Sequence, residues 1–154
     1  MNEHDFLYRL LGIEKLRITQ SDFIGEERLN LSVESSLGIA GCPDCHQISE
    51  QVHDFSEVQM VRDLPIAERR CYLVYRARRF ECQRCRKTFV ERVAWKRIGV
   101  SYTLRYEKHI YQRARKEAIT QVAEDEGLSE EAVQAIFEYW AKKRSRHVGT
   151  RKSS

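Results

Sequence analysis

Apolar positions change period once along this chain, from short mixed runs to a sustained helical repeat. Phe6, Leu7, Leu10 and Leu11 fall at helical spacing and Gly12 interrupts them, which predicts a short helix over 5–11. Leu16 and Ile18, then Leu29, Leu31 and Val33, alternate with polar neighbours on either side of Gly25, so 14–35 reads as a β-hairpin whose apolar face needs a partner. Val58–Val61 predicts a strand. Arg62-Asp63-Leu64-Pro65 predicts a turn, because Pro65 fixes its own φ and holds Leu64 extended, with Asp63 shaping the reversal. A further strand is expected over Cys71–Tyr75, continuing through Arg76, Arg78 and Arg79 to Phe80. Beyond Trp95 the period becomes 3.6. Thr103 can cap a helix with Tyr106, Ile110 and Ala114 on one stripe, and a second helix carries Ala118, Ile119, Val122 and Ala123 and stops at Gly127. Ser129 then caps a third, with Val133, Ile136, Phe137 and Trp140 as its buried face.

At 154 residues the chain holds one ordinary domain or two small ones. The pattern divides it into a β-rich domain, 1–97, a helical domain, 98–146, and a basic tail, 147–154, expected to be disordered. Trp95 favours a packed connection over a hinge at 92–102. No apolar run approaches a membrane span, and Met1-Asn2-Glu3-His4-Asp5 starts acidic without a targeting core, so a soluble cytoplasmic chain with no membrane partner is expected. Net charge is +4, unevenly distributed: −7 over 1–61, +8 over 62–97, −3 over 98–141 and +6 over 142–154. Two basic blocks of this kind serve either as counter-charge and solvated surface or as phosphate-binding clusters.

Four of the five cysteines form two pairs, Cys42-Pro43-Asp44-Cys45 and Cys82-Gln83-Arg84-Cys85. A Cys-x-x-Cys turn aims two sulfurs at one centre roughly 2.3 Å away, and two such turns supply the tetrahedral set that structural zinc prefers. Disulfides would require an oxidising compartment, which the N-terminus does not suggest, and a thioredoxin-like pair would need one motif in a βαβ context. Iron in a rubredoxin-like site uses the same ligands, so zinc and iron both remain open to sequence. Cys71 reads as a small buried strand residue. The position after the second cysteine of such a knuckle often takes a positive φ, and His46 and Arg86 stand there in place of the usual glycine. Four thiolates already fill the shell, which leaves His46 no ligand role. The predicted fold is therefore α+β, a small zinc-stapled, zinc-ribbon-like lobe followed by a three-helix module.

Ala123, Gly127, Leu128 and Val133 match the helix-turn-helix pattern, in which a small residue permits close crossing and glycine the tight turn. Glu124, Asp125, Glu126, Glu130 and Glu131 surround that turn and oppose phosphate contact there. Candidate phosphate contacts are Arg76, Arg78, Arg79, Arg84, Arg86 and Lys87 in the middle block and Lys142, Lys143, Arg144 and Arg146 in the tail. Gln134, Glu131 and Glu138 are the exposed helix-three candidates for base contact, since Gln reads adenine and Glu accepts from cytosine.

Taken with Arg62-Asp63-Leu64-Pro65, Arg78-Arg79-Phe80-Glu81-Cys82 and Thr88-Phe89-Val90-Glu91, these motifs make residues 10–142 resemble the N-terminal region of bacterial insertion-sequence transposases of the ISL-three type. The resemblance implies that Cys42, Cys45, Cys82 and Cys85 bind one structural zinc ion and that 118–141 help recognise terminal inverted repeats in double-stranded DNA at the nucleoid. In that family an RNase-H-like catalytic domain with an acidic triad follows. This chain stops where that domain would begin, so no catalytic acid carries over and no small-molecule substrate is expected. Asp22, Asp44, Asp54 and Asp63 lie in a zinc-stapled region without a βαβ scaffold, which argues against an enzyme. The alternatives are a protein-interaction or dimerisation module, using the acidic turn and the apolar N-terminal helix, an electron-transfer protein with iron in the four-thiolate site, and a free-standing repressor that occupies the repeats.

Overall fold

The computed structural model describes the backbone of residues 2–152 and the side chains of 2–146, so the basic tail expected over 147–154 lies outside the described side chains. In chain order the elements are α1 (Glu3–Leu11), β1 (Leu16–Ile24), β2 (Arg28–Ser35), β3 (Ala40–Gly41), β4 (Ile48–Ser49), β5 (Val52–Phe55), β6 (Gln59–Ile66), β7 (Arg69–Tyr75), β8 (Arg78–Glu81) and β9 (Thr88–Val90). α2 (Leu104–Ala114), α3 (Ile119–Glu126) and α4 (Glu130–Lys152) follow. The fold is mixed α+β, with four helices among the described residues, and it divides into two units, 1–103 and 104–154.

In the first unit α1 begins two residues before its apolar spacing suggests, because Asn2 caps it. The Asn2 side chain accepts from the Asp5 amide at 2.8 Å, and the Asp5 carboxylate accepts from the Asn2 amide at 3.4 Å. Leu7 and Leu11 are buried, whereas Phe6 and Leu10 stay more than half exposed. β1 and β2 form the expected antiparallel hairpin around Gly25, and the partner for its apolar face comes from the segment between the cysteine pairs. The sheet order is β1-β2-β7-β6, with β2 and β7 parallel so that Leu31 sits opposite Leu73. Leu16, Ile18, Leu29, Leu31, Val33, Val61, Cys71, Leu73 and Tyr75 bury one face with Leu7 and Leu11.

Two expectations are corrected here. Arg62-Asp63-Leu64-Pro65 is strand, not turn: the chain reverses later, at Ala67 and Glu68, whose φ values are 49° and 67°. Pro65 is tolerated because the β6–β7 ladder is irregular between Asp63 and Ile66, where a missing N–H removes no regular pairing. Asp63 accordingly shapes no turn. It is buried and accepts a 2.8 Å hydrogen bond from the Thr103 hydroxyl, while the Arg62 backbone pairs with Ser101 and Thr103 at 2.9 Å each. Residues 101–103, which the sequence places with the helices, thus line the edge of β6. Secondly, the strand expected from Cys71 to Phe80 is broken at Arg76-Ala77. Tyr75 and Ala77 both face the sheet core, whereas Phe80 must fill a different one, so β8 joins β5 and β9 in a separate sheet. Trp95 packs edge-to-face on Tyr75 at 5.1 Å, holding the connecting segment as expected.

The second unit comprises α2, α3 and α4. Tyr106 and Ile110 on α2, Val122 and Ala123 on α3, and Val133, Ile136 and Trp140 on α4 are its buried apolar residues, as their 3.6-residue spacing predicts; Phe137, expected with them, is half-buried, and Glu107 of α2 is buried too. The Ser129 hydroxyl accepts from the Ala132 amide at 3.1 Å, which starts α4 where the sequence places it. No helix among the described residues is long and apolar enough to cross a membrane.

Candidate metal centre and nucleic-acid interface

Each cysteine pair sits at the tip of a short hairpin, Cys42 and Cys45 between β3 and β4, Cys82 and Cys85 between β8 and β9. The two tips match bond for bond. Cys42 N–H donates to the Gln47 carbonyl and Cys82 N–H to that of Lys87, both at 2.9 Å. His46 N–H donates to the Cys42 carbonyl and Arg86 N–H to that of Cys82, again at 2.9 Å. His46 and Arg86 take φ values of 64° and 60°, the left-handed conformation anticipated at those positions. That conformation folds each tip back so that both sulfurs of a pair face the opposite hairpin.

The four sulfurs lie within 4.8 Å of one another, and Cys45 Sγ is 3.5 Å from Cys82 Sγ. A tetrahedral zinc with bonds of about 2.3 Å places its sulfurs roughly 3.8 Å apart, so the cluster has the right size and donor type for one structural zinc ion. Without metal the thiols compete for protons. The Cys85 amide, donating to Cys82 Sγ, draws that thiol down to about 7, and hydrogen bonding with Cys45 holds Cys85 up at about 12. Zinc replaces this shared protonation with four thiolates. His46 is exposed and Cys71 is buried in β7, outside the cluster.

Behind the metal, Phe80 is fully buried and stacks on Phe89 at 6.0 Å. The Ser49 hydroxyl donates to the Glu81 carbonyl and ties the two hairpins together. Glu91, the last residue of the Thr88-Phe89-Val90-Glu91 motif, closes the base. Its carboxylate accepts from the Arg78 amide at 2.7 Å and from the Arg78 guanidinium at 3.0 and 3.1 Å. Tyr75 is buried beside it, and burial followed by the Glu91 charge holds its phenol well above the ordinary value.

The basic candidates of this unit therefore differ in availability. Arg78 is anchored by Glu91 and the Leu37 carbonyl. Arg79 pairs with Asp54 at 2.8 Å, both about half exposed. Arg76 is exposed, donating to the Ser56 carbonyl at 3.1 Å with its guanidinium over Phe55. Arg84, Arg86 and Lys87 are exposed on the second tip, where they offset the net charge of about −2 that four thiolates and a zinc ion carry.

In the helical unit α3 ends in a Schellman turn. Gly127, at φ 67°, donates to the Glu124 carbonyl and Leu128 to that of Ala123, so α4 follows after a minimal connection. Of the five carboxylates around this turn, two are engaged. Arg113 of α2 meets Asp125 at 2.7 Å and Glu126 at 3.2 Å, as well as Glu117 at 2.7 Å. Tyr106 donates to Glu126 at 2.8 Å. The Arg113 hydrogen bonds hold Asp125 and Glu117 below the usual carboxylate range. The i, i+4 spacing of Arg113 and Glu117 is a sequence signal; the reach to α3 is not. On α4, Glu131 and Glu138 are exposed, Gln134 is half-buried, and Gln134 Nε2 donates to Glu138 Oε1 at 2.9 Å. Lys142, Lys143, Arg144 and Arg146 are exposed on its later turns, with Lys143 over the rings of Tyr139 and Trp140.

Two family models match the chain: the zinc-finger of transposase IS204/IS1001/IS1096/IS1165 over residues 40–85, and the helix-turn-helix domain of transposase family ISL3 over 91–141. No curated protein and no solved structure matches it. The first match spans all four cysteines and the strands between the two pairs, and the second contains the Gly127 turn. Residues 40–141 thus carry the zinc-ribbon and helix-turn-helix domains of the N-terminal, DNA-binding region of transposases of the ISL3 type.

Proposed function

We propose that this chain recognises the terminal inverted repeats of an insertion sequence. In this reading α2, α3 and α4 form a three-helix helix-turn-helix unit, and α4 lies in the major groove. Arg84, Arg86, Lys87 and Arg76 of the ribbon, with Lys142, Lys143, Arg144 and Arg146 of α4, contact phosphates and set register. Arg79 joins them on exchanging Asp54 for a phosphate, and Arg78 acts by bracing Glu91. The observation that carries the reading is the Gly127 turn inside the matched helix-turn-helix region, with Asp125 and Glu126 engaged by Arg113.

The chain contributes binding rather than chemistry. Four thiolates leave zinc no open position for water, Asp54 is paired with Arg79, and Asp63 is hydrogen-bonded inside the lobe. Duplex DNA as partner places its work at the bacterial nucleoid. A repressor would bind the same way with a different outcome. The exposure of Phe6 and Leu10 on α1 supports a second reading, self-association through that helix.

The test is fluorescence anisotropy of the zinc-loaded chain with duplexes from the repeats flanking its gene and with scrambled duplexes, across a salt series. Preference for the repeats that persists at higher salt supports end recognition. Equal, salt-sensitive binding to both reduces the surface to a phosphate grip, and self-association without DNA affinity favours the second reading.

A further inference from the structure

The first half of α4 presents hydrogen-bond acceptors and no cation. Glu131, Gln134 and Glu138 stand three and four residues apart, so they share one face of the helix. Glu131 and Glu138 are exposed carboxylates, and an ionised carboxylate accepts only. Gln134 can offer either end of its amide, and the 2.9 Å bond from its Nε2 to Glu138 Oε1 uses one of its two N–H groups. The amide nitrogen faces the carboxylate, since two oxygens would repel, so the Gln134 carbonyl oxygen stays available as an acceptor beside the one remaining N–H. Ala135 adds nothing polar, and the first lysine on this helix is Lys142, beyond the stripe.

Resting on the reading of α4 as the groove-entering helix, we propose that this stripe selects bases by their exocyclic amino groups: adenine N6 and cytosine N4 on the strand it faces, with guanine excluded. Adenine and cytosine display those donors in the major groove, whereas guanine shows only the N7 and O6 acceptors and thymine O4 and a methyl group. Two carboxylates beside guanine would leave acceptor against acceptor in a partly dehydrated groove, which is costly. From Glu131 to Glu138 the helix rises about 10 Å, the span of roughly three base steps. The stripe therefore fits a short run of adenine and cytosine on one strand. The same carboxylates weaken indiscriminate phosphate binding, and the cations from Lys142 onward restore affinity once the bases match.

The experiment starts from selection of the zinc-loaded chain on a randomised duplex library near physiological salt. The selected site is then rebuilt with single amino groups deleted, purine replacing adenine and 2-pyrimidinone replacing cytosine, and titrated against wild type, Glu131→Ala and Glu138→Ala. Both variants remove exposed side chains and leave alanine, the best helix former, so α4 persists. We expect an adenine and cytosine run in the selected site and a loss of roughly 5- to 150-fold for each amino group removed. In Glu131→Ala one of those losses should vanish. In Glu138→Ala two should shrink, because Gln134 is also released. A selected site with guanine along the contacted strand, or amino-group losses that neither variant alters, overturns the proposal while leaving DNA recognition intact. Failure to enrich any sequence overturns both the proposal and the reading of α4 on which it rests.

Discussion

Removing zinc should unfold the ribbon and leave the four-stranded sheet standing. None of the four ligating cysteines belongs to the apolar cluster formed by α1, β1, β2, β6 and β7. Among its buried apolar residues the ribbon has only Phe80 as a large side chain of its own, with Phe89 half-buried against it. Burying one such side chain contributes about 2–3 kcal/mol. A structural zinc site contributes about 10–16 kcal/mol at neutral pH, so the metal dominates what holds the two hairpins. Hydrogen exchange read by mass spectrometry, before and after a strong chelator, separates the parts. The amides of Cys42, His46, Cys82 and Arg86 should lose protection, while the strand amides around Leu31 and Leu73 keep theirs. Zinc should restore the first set at one ion per chain. Loss of protection in both sets at once would show that ribbon and sheet fold as one unit, and loss in neither would refute the argument that the metal holds the hairpins.

Several other changes test the remaining links. Val133→Asp places a charge at a fully buried position and should abolish the cooperative melt of the helical unit, read by far-UV circular dichroism, together with DNA affinity. Gly127→Val forces a β-branched residue to φ 67° and should cost about 1–2 kcal/mol of helical-unit stability in urea titration. Asp125 and Glu117 have folded pKa values depressed by Arg113, so their contribution is complete above the unfolded carboxylate range, about 4, and is lost as pH falls through the lower folded values. The Tm of the helical unit should drop below about pH 4, and Arg113→Met should lower Tm at pH 7 while flattening that acid-side loss.

The parts legible in the sequence are those whose cause is local. Cys-x-x-Cys spacing located the metal ligands, alternation around Gly25 located the first hairpin, and the 3.6-residue repeat with Gly127 and Ser129 located α3 and α4. What escaped has a non-local cause. Arg62-Asp63-Leu64-Pro65 looks like a turn in isolation, but strand pairing with β7 and the return of Ser101–Thr103 override that preference. The break after Tyr75 depends on which of two cores each side chain must fill. The roles of Glu91 and Arg113 are not legible because a charge in sequence carries no sign of the partner folding will bring to it. The acidic run at the turn looked hostile to DNA for the same reason, since the reach of Arg113 across to α3 exists only in the folded unit.

The parallel pairing of β2 with β7 also sets an order of events. Leu31 and Leu73 meet only after the whole first cysteine hairpin has been made and looped out, and Cys45 and Cys82 are 37 residues apart. On a ribosome the first pair of thiols emerges long before the second and must wait as a two-coordinate, exchangeable site. Loop closure between the pairs is entropically expensive for a free chain, and sheet formation brings the strand leading to Cys82 alongside. Metal capture is then a late, intramolecular step. A chain stalled before Cys82 would hold zinc weakly and release it, so metal content reports completed synthesis of the lobe.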